Sequence, residues 1–197
     1  MFLKKYRTTV AEQNYSVNQH NSETDQMING QSAYSNYLFG LTTLDRVGCG
    51  IIAVYNALRL LGRPKKLTNL IREFETNNTE TIPFGFFGIN PFSMRKYYEA
   101  HQIPYRKIFR VKEFDKAKEE NGVFVMTFWN DSKNLMKGAH TVTFCCINNQ
   151  FDVFNRTNGN SESVKFDNAG DIIGNGRLIC GYRLYETFHA GEVSKND

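Results

Sequence analysis

The sequence predicts an α+β protein, with a helical half followed by a strand-rich half. Residues 51–62 and 67–74 carry apolar side chains at helical spacing, whereas 123–129, 140–147, 151–155 and 177–185 are short runs of strand type. The composition agrees: 197 residues, 41% hydrophobic and 22% charged, suit one soluble globular domain with a sizeable core.

Residues 1 to about 40 are rich in Asn, Gln, Ser and Tyr and have little helical or strand periodicity. They are predicted to form a polar extension: one strapped onto the domain, a pro-segment or a partly disordered arm. A globular domain is expected over 41–186 and a short tail over 187–197. The helix that follows Cys49 should end near Gly62, because Gly suits the first position past a helix and Pro64 discourages continuation. Leu67, Leu70, Ile71 and Phe74 mark a second helix. Thr76 to Gly88, with Pro83, Gly85 and three phenylalanines, reads as an aromatic loop. Asn90-Pro91 gives a cap and a first-turn proline in the favoured order, predicting a helix to about Ala100. A strand over Ile103 to Val111 and a charged helix over Glu113 to Glu120 come next. The strands Val123 to Trp129, His140 to Ile147, Phe151 to Asn155 and Arg177 to Tyr185 complete the sheet half.

Charge and cysteine usage narrow the function. The net charge of +4 is spread along the chain, with no basic stripe and interleaved aromatics, so no nucleic-acid partner is expected. The four cysteines (49, 145, 146 and 180) form no CxxC pair and no zinc-type cluster. No metal, cofactor or disulfide framework is predicted, which favours a reducing compartment. Only Met1-Phe2-Leu3 precedes Lys4-Lys5-Tyr6-Arg7, and no run approaches 18 apolar residues. The expectation is a cytoplasmic chain without a membrane span; the sequence leaves the oligomeric state open.

Cys49 is the most informative residue. It lies between Gly48 and Gly50 at the head of an apolar helix, where the backbone dipole and free N–H groups favour thiolate over thiol. A cysteine nucleophile also needs a base, and the base needs a third group to fix its tautomer. Of four histidines, His20, His101 and His189 lie in polar or terminal surroundings, while His140 opens a strand. If Asn148-Asn149 is a two-residue turn, Ile147 pairs with Gln150 and Val142 falls opposite Asn155. Asn155 then lies diagonal to His140 on one face, roughly 7–8 Å away between backbones. In that register its side-chain oxygen can accept from the imidazole. A three-residue turn would put Asn155 on the wrong face.

Gly48-Cys49-Gly50 opening a helix, Gly138-Ala139-His140 opening a strand and Asn155 ending the next strand resemble a papain-like cysteine peptidase. The order Gly88, Pro91, a helix, Gln102-Ile103-Pro104-Tyr105 and an apolar strand is similar to the bacterial branch related to bacteriocin-leader (double-glycine) peptidase domains. The likeness covers roughly residues 40 to 185. It implies a papain-like fold with Cys49 as nucleophile, His140 as base and acid, and Asn155 as the orienting residue. It also implies an oxyanion hole formed by the Cys49 N–H and a side chain about six residues upstream. The family usually has Gln at that position; this chain has Thr43, with Gln31 and Asn36 as other candidates from the preceding loop. Loss of one oxyanion donor typically costs 10²–10³ in rate. The implied substrate is a peptide or other amide. An acyltransferase using the same triad and a degenerate peptide-binding protein are the alternatives.

Overall fold

The computed structural model describes residues 2–76, 88–119, 122–157 and 162–185, with backbone only for 2–7 and 119. The expected aromatic loop lies almost wholly outside the described residues, as does the tail from 187 onward. The helices are α1 (Phe2–Asn18), α2 (Leu44–Val47), α3 (Cys49–Leu60), α4 (Leu67–Thr76), α5 (Met94–Ala100), α6 (Val111–Lys116) and α7 (Ala169–Ile173). The strands are β1 (Leu38–Phe39), β2 (Thr42–Thr43), β3 (Tyr105–Ile108), β4 (Val123–Trp129), β5 (Ala139–Ile147), β6 (Gln150–Phe154), β7 (Val164–Phe166) and β8 (Arg177–Leu184). The α+β class holds, with a helical half and an antiparallel sheet of six strands in the order β3-β8-β4-β5-β6-β7.

The sheet is covered on both faces because its central strand is apolar on both. Val123 and Val125 of β4 join Cys180, Tyr182 and Leu184 of β8 beneath α3, α4 and α5. Phe124, Met126 and Phe128 turn the other way, against Val142 and Phe144 of β5, Phe151 and Val153 of β6, and α6 and α7. Strand alternation thus divides the residues between two cores. Helix α3 is buried from Gly50 to Leu58. It is tied to β5 where the Thr143 hydroxyl donates to the Ala53 carbonyl.

Residues 1 to 40 differ from the sequence reading, which found little helical periodicity there. They contain the 17-residue helix α1 and strand β1, which pairs with β2 just beyond them. The buried face of α1 is Ala11, Asn14 and Asn18, a helical spacing in mostly polar residues. Those residues replace apolar contacts with hydrogen bonds. Asn18 donates to the Leu38 carbonyl at 2.9 Å and accepts from the Leu38 N–H at 2.8 Å. Asn14 donates to the Gly40 carbonyl at 2.9 Å and to Glu75 of α4 at 2.5 Å. Farther on, Asn56 of α3 grips the N–H and C=O of Ile28 at 2.8 and 2.9 Å. Ile28, Tyr37 and Phe39 are buried in the same core as α3.

Other differences are local. Pro91–Ser93 is a 3-10 turn, and α5 begins only at Met94. The cap is as expected, with the Asn90 side chain accepting from the Phe92 N–H at 3.0 Å. Strand β3 is shorter than predicted, and α6 starts two residues early at Val111. Among the described residues no helix is long and apolar enough to cross a membrane.

Candidate active site

Cys49 is the first residue of α3. The short helix α2 precedes it, and Gly48 serves both helices as a junction. The Gly48 N–H bonds to Leu44 O at 2.8 Å, and Gly48 O accepts from the Ile52 N–H at 2.9 Å. A Cβ at Gly48 would lie 2.4 Å from both the side chain and the carbonyl of Leu44. Only glycine lets the chain turn directly from α2 into the helix that carries the thiol.

The two-residue turn expected at Asn148-Asn149 is present. Both residues have positive φ, 51° and 62°, as a type I′ hairpin requires. The register is Ile147↔Gln150 through Thr143↔Phe154. The β5–β6 ladder ends there, while β4–β5 continues to Trp129↔Ala139. The start of β5 therefore extends beyond β6, and the head of α3 lies beside it.

Two consecutive β5 residues act on Cys49: His140 and the main-chain N–H and hydroxyl of Thr141 each favour its ionised form through hydrogen bonding. Burial pushes the thiol up, but these bonds and the His140 charge outweigh it and hold the group below its ordinary value. His140 shifts the opposite way. Burial lowers it, the bond and charge of Cys49 and the Asn155 carbonyl raise it, nearby Arg156 lowers it, and the net displacement is upward. An ordinary imidazole loses its proton well before an ordinary thiol does, leaving an interval in which both are neutral. These two shifts narrow that interval from both sides. The arrangement favours thiolate with imidazolium.

Asn155 reaches His140 differently from the sequence expectation. His140 Nε2 lies 2.6 Å from the main-chain oxygen of Asn155. A carbonyl only accepts, so Nε2 carries the proton and Nδ1 is left for Cys49. Asn155 has φ of 59°, which turns its peptide out of the line of β6. The diagonal geometry assumed an extended residue whose amide oxygen met the imidazole. In the left-handed conformation the carbonyl takes that place. The side chain instead accepts from the Gln31 N–H at 3.1 Å. Phe128 completes the surroundings, its ring 6.1 Å from that of His140 and nearly perpendicular to it.

Cys49 opens onto a groove lined by Gly88–Phe92 on one side and by Thr127, Trp129, Ala139, Thr141 and Ile179 on the other. The wall from Gly88 approaches closely because Gly88 has φ of 79° and a Cβ there would lie 2.7 Å from Val47 O. The lining is largely apolar, with two buried hydroxyls in it. Thr127 and Thr141 share a hydrogen bond at 3.0 Å. Trp129, the last residue of β4, forms part of the groove wall. Arg46 is exposed and does not line the groove.

Thr43 pairs with Leu38 in the hairpin and caps the head of α2 without a side-chain bond to the helix. It does not line the groove. Gln31 donates to Asp45 O at 2.7 Å, and Asn36 bonds to Asn21 at 2.9 Å. The structure brings Cys49, His140 and the Asn155 main chain together and leaves Thr43 apart from the groove. Thr141 was missed, although it immediately follows His140. A threonine in an apolar strand gives no distinct sequence signal. Compared with known proteins, the chain matches no protein-family model and no curated sequence.

Proposed function

We propose that this protein is a cysteine hydrolase of papain-like fold that cleaves a peptide or other amide through a thioester on Cys49. The observation that carries this reading is Cys49 at the head of α3 and the mouth of an apolar groove, beside a His140 whose Nε2 is held by the Asn155 carbonyl.

In the first half-reaction the Cys49 thiolate attacks the substrate carbonyl carbon, and the carbonyl electrons move to oxygen. The Cys49 main-chain N–H at the head of α3 is suited to hold that oxyanion. His140 Nδ1 gives its proton to the leaving amine as the C–N bond breaks, leaving the thioester. Water then enters, His140 Nδ1 takes its proton, and the thioester collapses to acid and free thiolate. Throughout, the Asn155 carbonyl keeps the proton on Nε2, so Nδ1 remains the working nitrogen. The groove is suited to an extended acyl portion with an apolar side chain near the scissile bond.

The test is a library of peptide esters with apolar residues, incubated with the protein and quenched in acid for intact-mass analysis. The expected result is one acyl adduct, mapped to Cys49, that decays to free acid in water. Absence of any adduct with every ester, while the protein is folded, would contradict the reading.

A further inference from the structure

We propose that Asn29 is a positioning residue of the Cys49–His140 pair, acting by holding Asn155 in the left-handed conformation that aims its main-chain carbonyl at His140. The proposal rests on the reading of that pair as the reactive one.

Asn155 is buried, with 1% of its surface exposed. Its φ of 59° is uncommon for any residue but glycine. Such a conformation persists where its surroundings over-determine it. Here the surroundings come from far away in sequence. Asn29 Oδ1 accepts from the Asn155 N–H at 2.8 Å, and the Gln31 N–H donates to Asn155 Oδ1 at 3.1 Å. With those two groups occupied, the carbonyl is the one directed at His140 Nε2. Among the described residues the Asn155 Nδ2 group has no partner, and it is not used to orient the imidazole.

The strap that carries Asn29 is fixed to the cysteine side of the site. Asn56 of α3 clamps Ile28 at both backbone groups. The Gln31 side chain donates to Asp45 O of α2, four residues before Cys49. One short stretch, residues 28–31, thus binds the elements that carry the thiol and the residue that orients its base. It sets their separation. On this account residues 28–31 support the reaction.

Alkylation of Cys49 by iodoacetamide in the full chain, followed across pH by mass mapping, tests this. Asn29→Ala should move the Cys49 profile to higher pH and slow the reaction at pH 7 by about five- to tenfold, the scale of one lost buried hydrogen bond. Asn29→Asp, which keeps the accepting oxygen, should recover most of that loss. Asn155→Gly, which tolerates the left-handed conformation, should lose at most a few-fold. Asn155→Val, whose branched side chain opposes it, should lose about tenfold or more. If folded Asn29→Ala has the wild-type profile, or if Asn155→Gly loses as much as Asn155→Val, the proposal is wrong. If Asn29→Ala does not fold, the two Asn155 variants decide. A wild-type Cys49 that reacts only at alkaline pH would instead overturn the reading of the pair itself.

Discussion

Cys49 and Cys180 begin from the same burden and end on opposite sides of the ordinary thiol. Cys180 lies inside β8, 2% exposed, and burial pushes its thiol up to about 12 with only a slight opposing pull from Lys107. Cys145 at the far end of β5 follows the same course, to about 11, with burial first and Asp152 adding to it. Burial acts on Cys49 as well, yet its net displacement is downward. Solvent exclusion therefore does not distinguish a reactive cysteine from a structural one. What distinguishes Cys49 is its place at the junction of helix and sheet, where two β5 residues donate to it. Within the strands, Cys180 has only Lys107 and Cys145 only its own main-chain N–H to oppose burial, and neither offsets it.

Removing the donor that matters most should make Cys49 behave as Cys180 does. His140→Ala is expected to slow iodoacetamide labelling of Cys49 at pH 7 by about 100-fold, through loss of both the hydrogen bond and the neighbouring charge. Labelling unchanged within a factor of two would break the comparison.

Glu75 extends the comparison to a carboxylate. Burial raises it from an ordinary 4.5 to about 7, and its bonds from Asn14 and the Gly40 N–H only partly offset that. The folded state holds the proton more tightly than the unfolded one, so the contribution of Glu75 to folding stability is greatest below about pH 4.5 and declines as pH rises to about 7. Above that the ionised group costs about 2 kcal/mol, taking a nominal value near 3 and discounting residual solvent. Glu75→Gln keeps the accepting oxygen and removes the charge. Urea unfolding should find the variant more stable by about that amount at pH 8 and nearly equal to wild type at pH 4. A variant less stable at pH 8 would mean that the carboxylate is stabilised by its neighbours after all.

How far the site could be read from sequence follows the same division between local and distant causes. Cys49 at the head of α3 was legible because Gly48 and the apolar run of α3 are local signals. The β5–β6 register was legible because Asn148 and Asn149 both accept positive φ. Helix α1 was not, since its buried face presents Asn14 and Asn18 where an amphipathic pattern would show leucine. The conformation of Asn155 was not legible either. It is held by Asn29 and Gln31, more than 120 positions away, and no rule of spacing connects them. Thr43 was chosen by its distance from Cys49 along the chain, and the hairpin with Leu38 takes it to the head of α2.

The smallest expected effect isolates the second donor. Thr141→Val removes the hydroxyl from Cys49 and from Thr127 while keeping the main-chain N–H. Labelling of Cys49 at pH 7 should fall by about three- to fivefold, matching one hydrogen bond of about 1 kcal/mol. A loss as large as that of His140→Ala would mean that Thr141, not the imidazole, controls the thiol.

The most direct test of the central claim is the pH profile of labelling of all four cysteines in one sample of the folded wild-type chain. The account predicts that Cys49 reacts at neutral pH and reaches its plateau well before Cys145 and Cys180, which remain unlabelled until strongly alkaline conditions or unfolding. A Cys49 that rises together with Cys145 and Cys180 would contradict it.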